Sequence, residues 1–308
     1  MVFLLLKFAI QNFIGDREYK NLSINTIKAY QMELNTFHAY CVSQEMINVE
    51  DITQSFVKQY LVYCQKERNN NPTTRNTKLR SIKAFFNYLE DEEITKSPLA
   101  KMHYVKEQIK IEAFTDNQIK TMLTHYSRIK NYDKSYIAYR DYVIILVLLG
   151  TGVRLGELIN LKWSDVDLTN RIVTVFGKKR ELSSIPMTNR LVLELSEYKL
   201  FCQQHYKTMP DYLFVSARSK MQMTPDATKS IFKRLKASML FNDKVRISAH
   251  TFRHTFAHMM LMNGCDVFTL QKMLRHTDIK MTEKYLSLWG TALAEINNKF
   301  NPLSNIDI

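Results

Sequence analysis

From Ser248 to His258 the chain reads Ser-Ala-His250-Thr-Phe-Arg253-His254-Thr-Phe-Ala-His258, the densest run of imidazole and guanidinium groups in its 308 residues. His250 and Arg253 are three apart, so on a helix they share a face and can address one ligand together. An ordinary helix with a polar wet side would look the same, and only spacing elsewhere separates the two readings. Leu274-Arg275-His276 is followed nine residues later by Tyr285, Thr151-Gly-Val-Arg154-Leu-Gly-Glu157-Leu158 stands far upstream, and Lys178 comes 24 residues after Arg154. Two arginines, a lysine, two histidines and a tyrosine suit attack on a phosphodiester without a metal. Guanidinium forks match phosphate oxygens and offset the charge that builds in a pentavalent transition state. A phenol needs a base before it is a nucleophile and the leaving oxygen needs an acid, roles that His250 and Lys178 can fill. His250, His254 and His258 also form an i, i+4, i+8 ladder, but the zinc protease motif wants Glu after its first histidine and residue 251 is Thr. No metal site is expected, and His254 and His258 read as packing or capping residues.

These positions resemble the successive boxes of the tyrosine recombinase, or phage integrase, family, in particular its simple two-domain, Xer-like members. The boxes are Thr-Gly-Val-Arg154-Leu-Gly-Glu-Leu, Gly177-Lys178 after a strand, His250-x-x-Arg253-His-Thr, His276 and Tyr285, at 24, 96, 122 and 131 residues beyond Arg154. Leu22-Ser-Ile-Asn-Thr-Ile-x-x-Tyr30 and the helices around it are similar to the family's core-binding domain, so the likeness covers nearly the whole chain.

The resemblance implies that Tyr285 attacks the scissile phosphate and is held as a 3′-phosphotyrosine, releasing a 5′-hydroxyl that later attacks the partner strand. Arg154 and Arg253 would bind the non-bridging oxygens, His276 would donate to the phosphate, His250 would take the tyrosine proton and Lys178 would protonate the leaving oxygen. Glu157 would orient the cluster from behind. The covalent link stores the bond energy, so no cofactor is expected. The implied partners are double-stranded DNA and a homotetramer in a synapse passing through a Holliday junction, with room for an accessory DNA-bending protein. Where the family commonly has glycine before the penultimate histidine this chain has Arg275, expected to add a phosphate contact. Lys179 and Arg180 make the turn after Lys178 more basic than usual, and Lys178 is preferred over Lys179 as the acid because its interval from Arg154 fits. The tasks implied are integration or excision, transposition, or dimer resolution. The competing readings are a type IB topoisomerase, which shares the chemistry on one duplex, and a DNA-binding protein without catalysis, against which the filled catalytic positions argue.

The elements that must carry these residues are mainly helical. The chain has only 7 Gly and 6 Pro, and apolar residues recur at helical spacing. Helices are expected near 23–43, 54–68 and 73–90, the third alternating Arg75, Lys78, Arg80 and Lys83 with apolar residues to give a basic face for DNA. Weak periodicity after His103 predicts an extended linker, and Thr115-x-x-Gln118 resembles a capping box. Beyond it, strands are expected at Arg171–Phe176, Leu182–Met187 and Tyr212–Ser216, and helices near 188–205, 224–239, 248–263, 266–274, 278–286 and 290–300. The last helix would complete the core or dock on a neighbouring protomer, and the resemblance favours docking. The division is a helical core-binding, SAM-like domain at 1–104, a linker at 105–112 and a mixed α/β catalytic domain with a small antiparallel sheet at 113–308, together a clamp for a duplex.

Composition agrees with such a partner. Lys plus Arg number 43 against 30 Asp plus Glu, a formal +13, and by count residues 111–308 carry +10 of it. The four cysteines include no Cys-x-x-Cys pair, which predicts reduced thiols in a cytoplasmic protein. The apolar start, Val2 to Ile10, has no basic flank and is too short for a bilayer, so it is expected to pack against the fold. With no further domain before the core-binding region, a simple recombinase is expected over an arm-site-binding integrase.

Overall fold

The computed structural model describes residues 4–107, 111–133, 135–177, 182–239 and 246–285. The chain divides into two compact units, Met1–Gln108 and Ile109–Ile308.

The first unit is four helices, α1 (Leu6–Tyr19), α2 (Ile24–Ser43), α3 (Gln54–Lys66) and α4 (Pro72–Asp91). The apolar N-terminal run is itself helical, burying Leu6, Ala9, Ile10 and Phe13 at the i, i+3, i+4, i+7 spacing of one helix face. Side-chain oxygens of Ser23, Thr53 and Asn71 cap α2, α3 and α4, and Pro72 occupies the first turn of α4, where its missing N–H costs nothing. Edge-to-face rings fill the core, Phe13 on Phe85 at 5.8 Å and Phe37 on Tyr60 at 5.1 Å between centroids.

The expected basic face of α4 does not form as one surface. Lys78 is buried and its ammonium donates to Glu33 of α2 at 2.6 Å, an internal ion pair rather than a phosphate contact. Arg75 donates to Gln65 at 2.6 Å, and the Lys83 ammonium lies 5.5 Å from the Tyr104 ring centroid. Arg80 is exposed. The reason is angular: residues 75, 78, 80 and 83 spread around more than a third of the helix circumference, and α2 covers part of it. After α4 the chain runs without helix or strand through residues 102–107, where Asn76 donates to the Val105 carbonyl at 2.7 Å and accepts from the Val105 N–H at 2.9 Å.

The second unit is built around α6 (Tyr136–Thr151), buried from Val143 to Leu148, with α5 (Asp116–Asp133) before it. Thr115 and Gln118 make the reciprocal capping bonds at the start of α5. Then come α7 (Leu155–Asn160), β1 (Val166–Asp167), β2 (Ile172–Phe176), β3 (Leu182–Pro186), α8 (Asn189–His205), α9 (Pro225–Ser238), α10 (Ala249–Met262), α11 (Val267–Leu274) and α12 (Lys280–Glu283). Helices α5, α8 and α10 pack on α6.

The sheet is antiparallel in the order β1-β2-β3, with Val173 opposite Ile185, both buried. Its third strand is β1, not Tyr212–Ser216. Asp167 Oδ1 accepts the N–H groups of Thr169 and Asn170 at 3.0 and 2.8 Å, and this local turn returns β1 onto β2. Tyr212 and Val215 make single bridges, to Lys162 and Gln222, while Leu213, Phe214 and Val215 are buried: the run is extended because it is core, not because it is laddered. No helix among the described residues is long and apolar enough to cross a membrane.

The Lys78–Glu33 assignment is testable. Removing one partner leaves the other charge buried alone, so Lys78→Ala is expected to lower the unfolding free energy by about 3 kcal/mol. DNA affinity of the folded variant should stay at the parent value. Urea denaturation and gel-shift titration measure the two, and a stable variant with weakened DNA binding would restore the phosphate-contact reading.

Candidate active site

The site is assembled from two chain reversals and the helix α10 between them. At the end of α6, Gly152 takes the left-handed conformation, φ 61°, and a Cβ there would sit 2.5 Å from Phe256 Cδ1 of α10. Only glycine meets both demands. This reversal starts α7 with Arg154 at its N-cap, and Glu157 Oε2 accepts the Arg154 N–H at 2.8 Å, tying side chain and helix start together.

The second contribution is α10, entered through Ser248, whose hydroxyl accepts the Thr251 N–H. Arg253 is 4% exposed and spends its fork on main-chain carbonyls, Nη1 donating to Gly152 at 2.5 Å and Nη2 to Leu274. Burial, then the neighbouring Arg154 and Arg275, pull its pKa down to about 10, which leaves it charged at neutral pH. The third is the end of α11. Arg275 stands there in the left-handed region, φ 55° and ψ 47°, a conformation costing a non-glycine residue roughly 1–2 kcal/mol. That backbone requirement accounts for a glycine at this place.

Arg154 and Arg253 therefore hang from consecutive carbonyls: Arg154 Nη2 donates to Arg275 at 3.2 Å, Arg253 Nη2 to Leu274. Glu157, buried, binds both flanking guanidiniums, Arg154 Nη1 on Oε1 at 2.8 Å and Arg275 Nη2 on Oε2 at 2.7 Å. Burial alone would raise the Glu157 pKa, but the Arg275 charge and the Arg154 hydrogen bonds outweigh it and hold the carboxyl below its usual range.

His276 and Tyr285 complete the cluster. His276 is buried with Nδ1 2.8 Å from the Thr282 hydroxyl of α12. Tyr285, just past α12, is 1% exposed and packs with Phe256, Leu261, Leu270 and Leu274. Its hydroxyl lies 2.7 Å from Nδ1 of His254. Burial pushes its pKa up to about 12 even though Arg253 and Arg154 act to lower it.

The ring on the tyrosine hydroxyl is thus His254 and not His250, which lies exposed beside it with 4.0 Å between ring centroids. His254 was expected to pack or cap. The signal available in the sequence was its i+4 spacing from His250, which puts both on one face of α10. The expectation for Arg275 is also corrected: its side chain is 9% exposed and its terminal nitrogens are taken by Glu157 and the Met273 carbonyl, not turned out toward a phosphate. Lys178, Lys179, Arg180 and the helix expected near 290–300 lie outside the described residues. Among the described residues Arg154, Arg253 and Arg275 surround the single carboxylate of Glu157, so the site is a net cation that attracts an anion.

Burial, and then His250, Lys284 and Arg253, lower the His254 pKa to about 3, and burial followed by Arg253, Arg154, Lys284 and Arg275 lowers that of His276 to about 3. Both rings are neutral near pH 7. Unfolded histidine protonates near its ordinary 6.5. From there down to about pH 3 the unfolded chain binds more protons than the folded one, so stability falls as pH falls, by about 1.4 kcal/mol per pH unit for each ring. His254→Gln is expected to flatten this slope by about one proton in urea unfolding followed from about pH 7 to about pH 5. Parallel slopes for variant and parent would contradict the burial of a neutral ring.

Comparison with known proteins gives the chain its family. Residues 112–289 match the phage integrase family, and residues 10–96 the phage integrase N-terminal SAM-like domain. The chain is 27% identical over 288 residues to tyrosine recombinase XerD of Shewanella oneidensis, covering 92% of each chain. It is similar to the crystal structure of XerA recombinase, with 26% identity, 96% of this chain and 98% of that one covered, and a TM-score of 0.52. The Tn1549 transposon integrase in complex with transposon right-end DNA shares the fold, with a TM-score of 0.74 at 20% identity over 94% of this chain and 98% of that one. With its family matched over more than half of its length, the protein belongs to the phage integrase family and is a tyrosine-type DNA recombinase, an enzyme of site-specific recombination.

Proposed function

We propose that the protein exchanges DNA strands between two duplexes through a covalent bond to Tyr285. The observation that carries this reading is a tyrosine hydroxyl held on a neutral histidine beside two buried or half-buried arginines whose forks are fixed by carbonyls and a carboxylate. In the cleavage step the Tyr285 oxygen attacks phosphorus, the bond from phosphorus to the 5′-oxygen breaks, and the tyrosine proton passes to a histidine. The leaving oxygen gains a proton, from Lys178 in this reading, and a 3′-phosphotyrosine is left. The 5′-hydroxyl of a second duplex then attacks that phosphotyrosine and returns the phenol. Neither step consumes a nucleotide cofactor.

Each side chain has a matching task. Arg154 and Arg253 stabilise the charge on the non-bridging oxygens, with donors fixed in place before the substrate arrives. His276 donates to the same phosphate, with its ring oriented by Thr282. His254 is the first acceptor of the Tyr285 proton, with His250 next to it at the solvent edge. Double-stranded DNA is the substrate. A homotetramer on two duplexes, a Holliday junction between the two rounds of exchange and a task in integration or excision, transposition or dimer resolution belong to the same reading.

On a nicked suicide duplex the parent is expected to give a protease-sensitive protein–DNA adduct that Tyr285→Phe does not form, with DNA affinity kept. Arg154→Ala and Arg253→Ala should slow adduct formation by about 100-fold or more. An adduct in the phenylalanine variant would exclude Tyr285 as nucleophile. Joining of two labelled duplexes separates recombination from relaxation of a single duplex, the topoisomerase outcome. His254→Gln and His250→Gln in the same assay assign the first proton transfer to whichever ring costs more when lost.

A further inference from the structure

Arg275 occupies a backbone conformation that suits glycine, yet its side chain is held at both ends. Nη2 pairs with Glu157 Oε2 at 2.7 Å, Nη1 donates to the Met273 carbonyl at 2.8 Å, and the side chain is 9% exposed. Its Nε is buried without a hydrogen-bond partner among the described residues. The fork is spent on the protein and not offered to DNA. What Arg275 reaches is Arg154, by two routes. Its carbonyl accepts from Arg154 Nη2 at 3.2 Å, and the Glu157 that it pairs with accepts both the Arg154 N–H and Arg154 Nη1 at 2.8 Å. Glu157 is the shared element: one carboxylate oxygen holds the Arg154 fork, and the other takes Arg275 together with the start of α7.

We propose that Arg275 is a positioning residue for Arg154, fixing the Glu157 carboxylate so that the Arg154 fork is set before a phosphate arrives. This rests on the recombinase reading and adds a residue to it. A glycine at the same place would keep the carbonyl contact and relieve the backbone, but would leave Glu157 with one fork less and free to turn. The charged groups that face Glu157 are Arg154 at its own helix start, Arg275 at the end of α11 and Arg253 from α10. Protonating Glu157 removes the acceptor that holds the Arg154 fork, so cleavage falls as pH drops through the Glu157 pKa. Taking away Arg275 removes a charge that keeps that pKa low, and the fall then comes at higher pH.

The test is single-turnover adduct formation on a nicked suicide duplex, at saturating DNA and across pH, for the parent, Arg275→Gly and Arg275→Lys. DNA affinity is measured by gel shift across salt. Arg275→Gly is expected to slow adduct formation about tenfold, in line with the loss of other outer-shell partners. Its affinity and salt slope should match the parent, and its acid limb should move to higher pH. Arg275→Lys, which restores the charge, should bring that limb back toward the parent. If Arg275→Gly does not fold, Arg275→Gln, which also removes the charge, decides in its place: an acid limb moved to higher pH supports the proposal and a parental one overturns it. An unchanged rate and acid limb in the glycine variant overturn it. So does a parental rate at saturation with a salt slope reduced by about one, because that is the signature of a lost phosphate contact. A parent that forms no adduct at all would refute the recombinase reading instead, and so the two failures are distinguishable.

Discussion

Like charges must be held together in this site. Arg154, Arg253 and Arg275 repel one another, and burial adds a desolvation cost to Arg253 and Arg275. One carboxylate, Glu157, and four main-chain carbonyls, those of Gly152, Met273, Leu274 and Arg275, supply the opposing attraction. The carbonyls are available only because two helices end where they do. Gly152 turns the chain out of α6 and Arg275 turns it out of α11, both in the left-handed region, which points otherwise unpaired C-terminal carbonyls at the guanidiniums. An anion entering the cluster would therefore meet donors already aimed, and the reorganisation that water would require has been done during folding.

The proposed nucleophile is controlled by the opposite means, apolar burial. Tyr285 is stored among Phe256, Leu261, Leu270 and Leu274, where the ionised phenolate is disfavoured and its hydrogen bond goes to a neutral His254. In this state the hydroxyl is an inert core group. Ionising it requires a lower cost of the negative oxygen, and the groups positioned to supply that are Arg253 and Arg154, since both act to lower the Tyr285 pKa. In the proposed reaction, phosphate binding and phenol activation would thus draw on one set of charges.

Much of this could be read from the chain. The intervals among Arg154, Arg253, His276 and Tyr285 bring these side chains into one cluster because each sits at a helix end or on a helix face whose position the intervening elements determine, and the helix periods and caps were plain. What escaped was decided by partners distant in sequence. Lys78 looks like its basic neighbours until Glu33, 45 residues earlier, is seen to cover it. His254 looks like a second polar residue beside His250 until Tyr285, 31 residues later, is brought onto its Nδ1. The third strand went to β1 because an Asx turn at Asp167 closes a hairpin, a local device that the apolar run from Tyr212 outshone.

Arg275 shows why such cases resist reading by residue type. Its type advertises phosphate binding, and its backbone asks for glycine. Neither property describes what it does, because the deciding fact is the carboxylate 118 residues upstream. An arginine in water gains little by pairing with a single carboxylate, whereas one shielded to 9% side-chain exposure, with its remaining terminal nitrogen on a carbonyl, has strong reason to stay paired. Breaking that pair to reach DNA would strand Glu157 beside Arg154 with half its charge compensation gone, and the Arg154 fork would lose its anchor at the moment the phosphate needs it. The same physics that makes a buried charge costly alone makes this one a support.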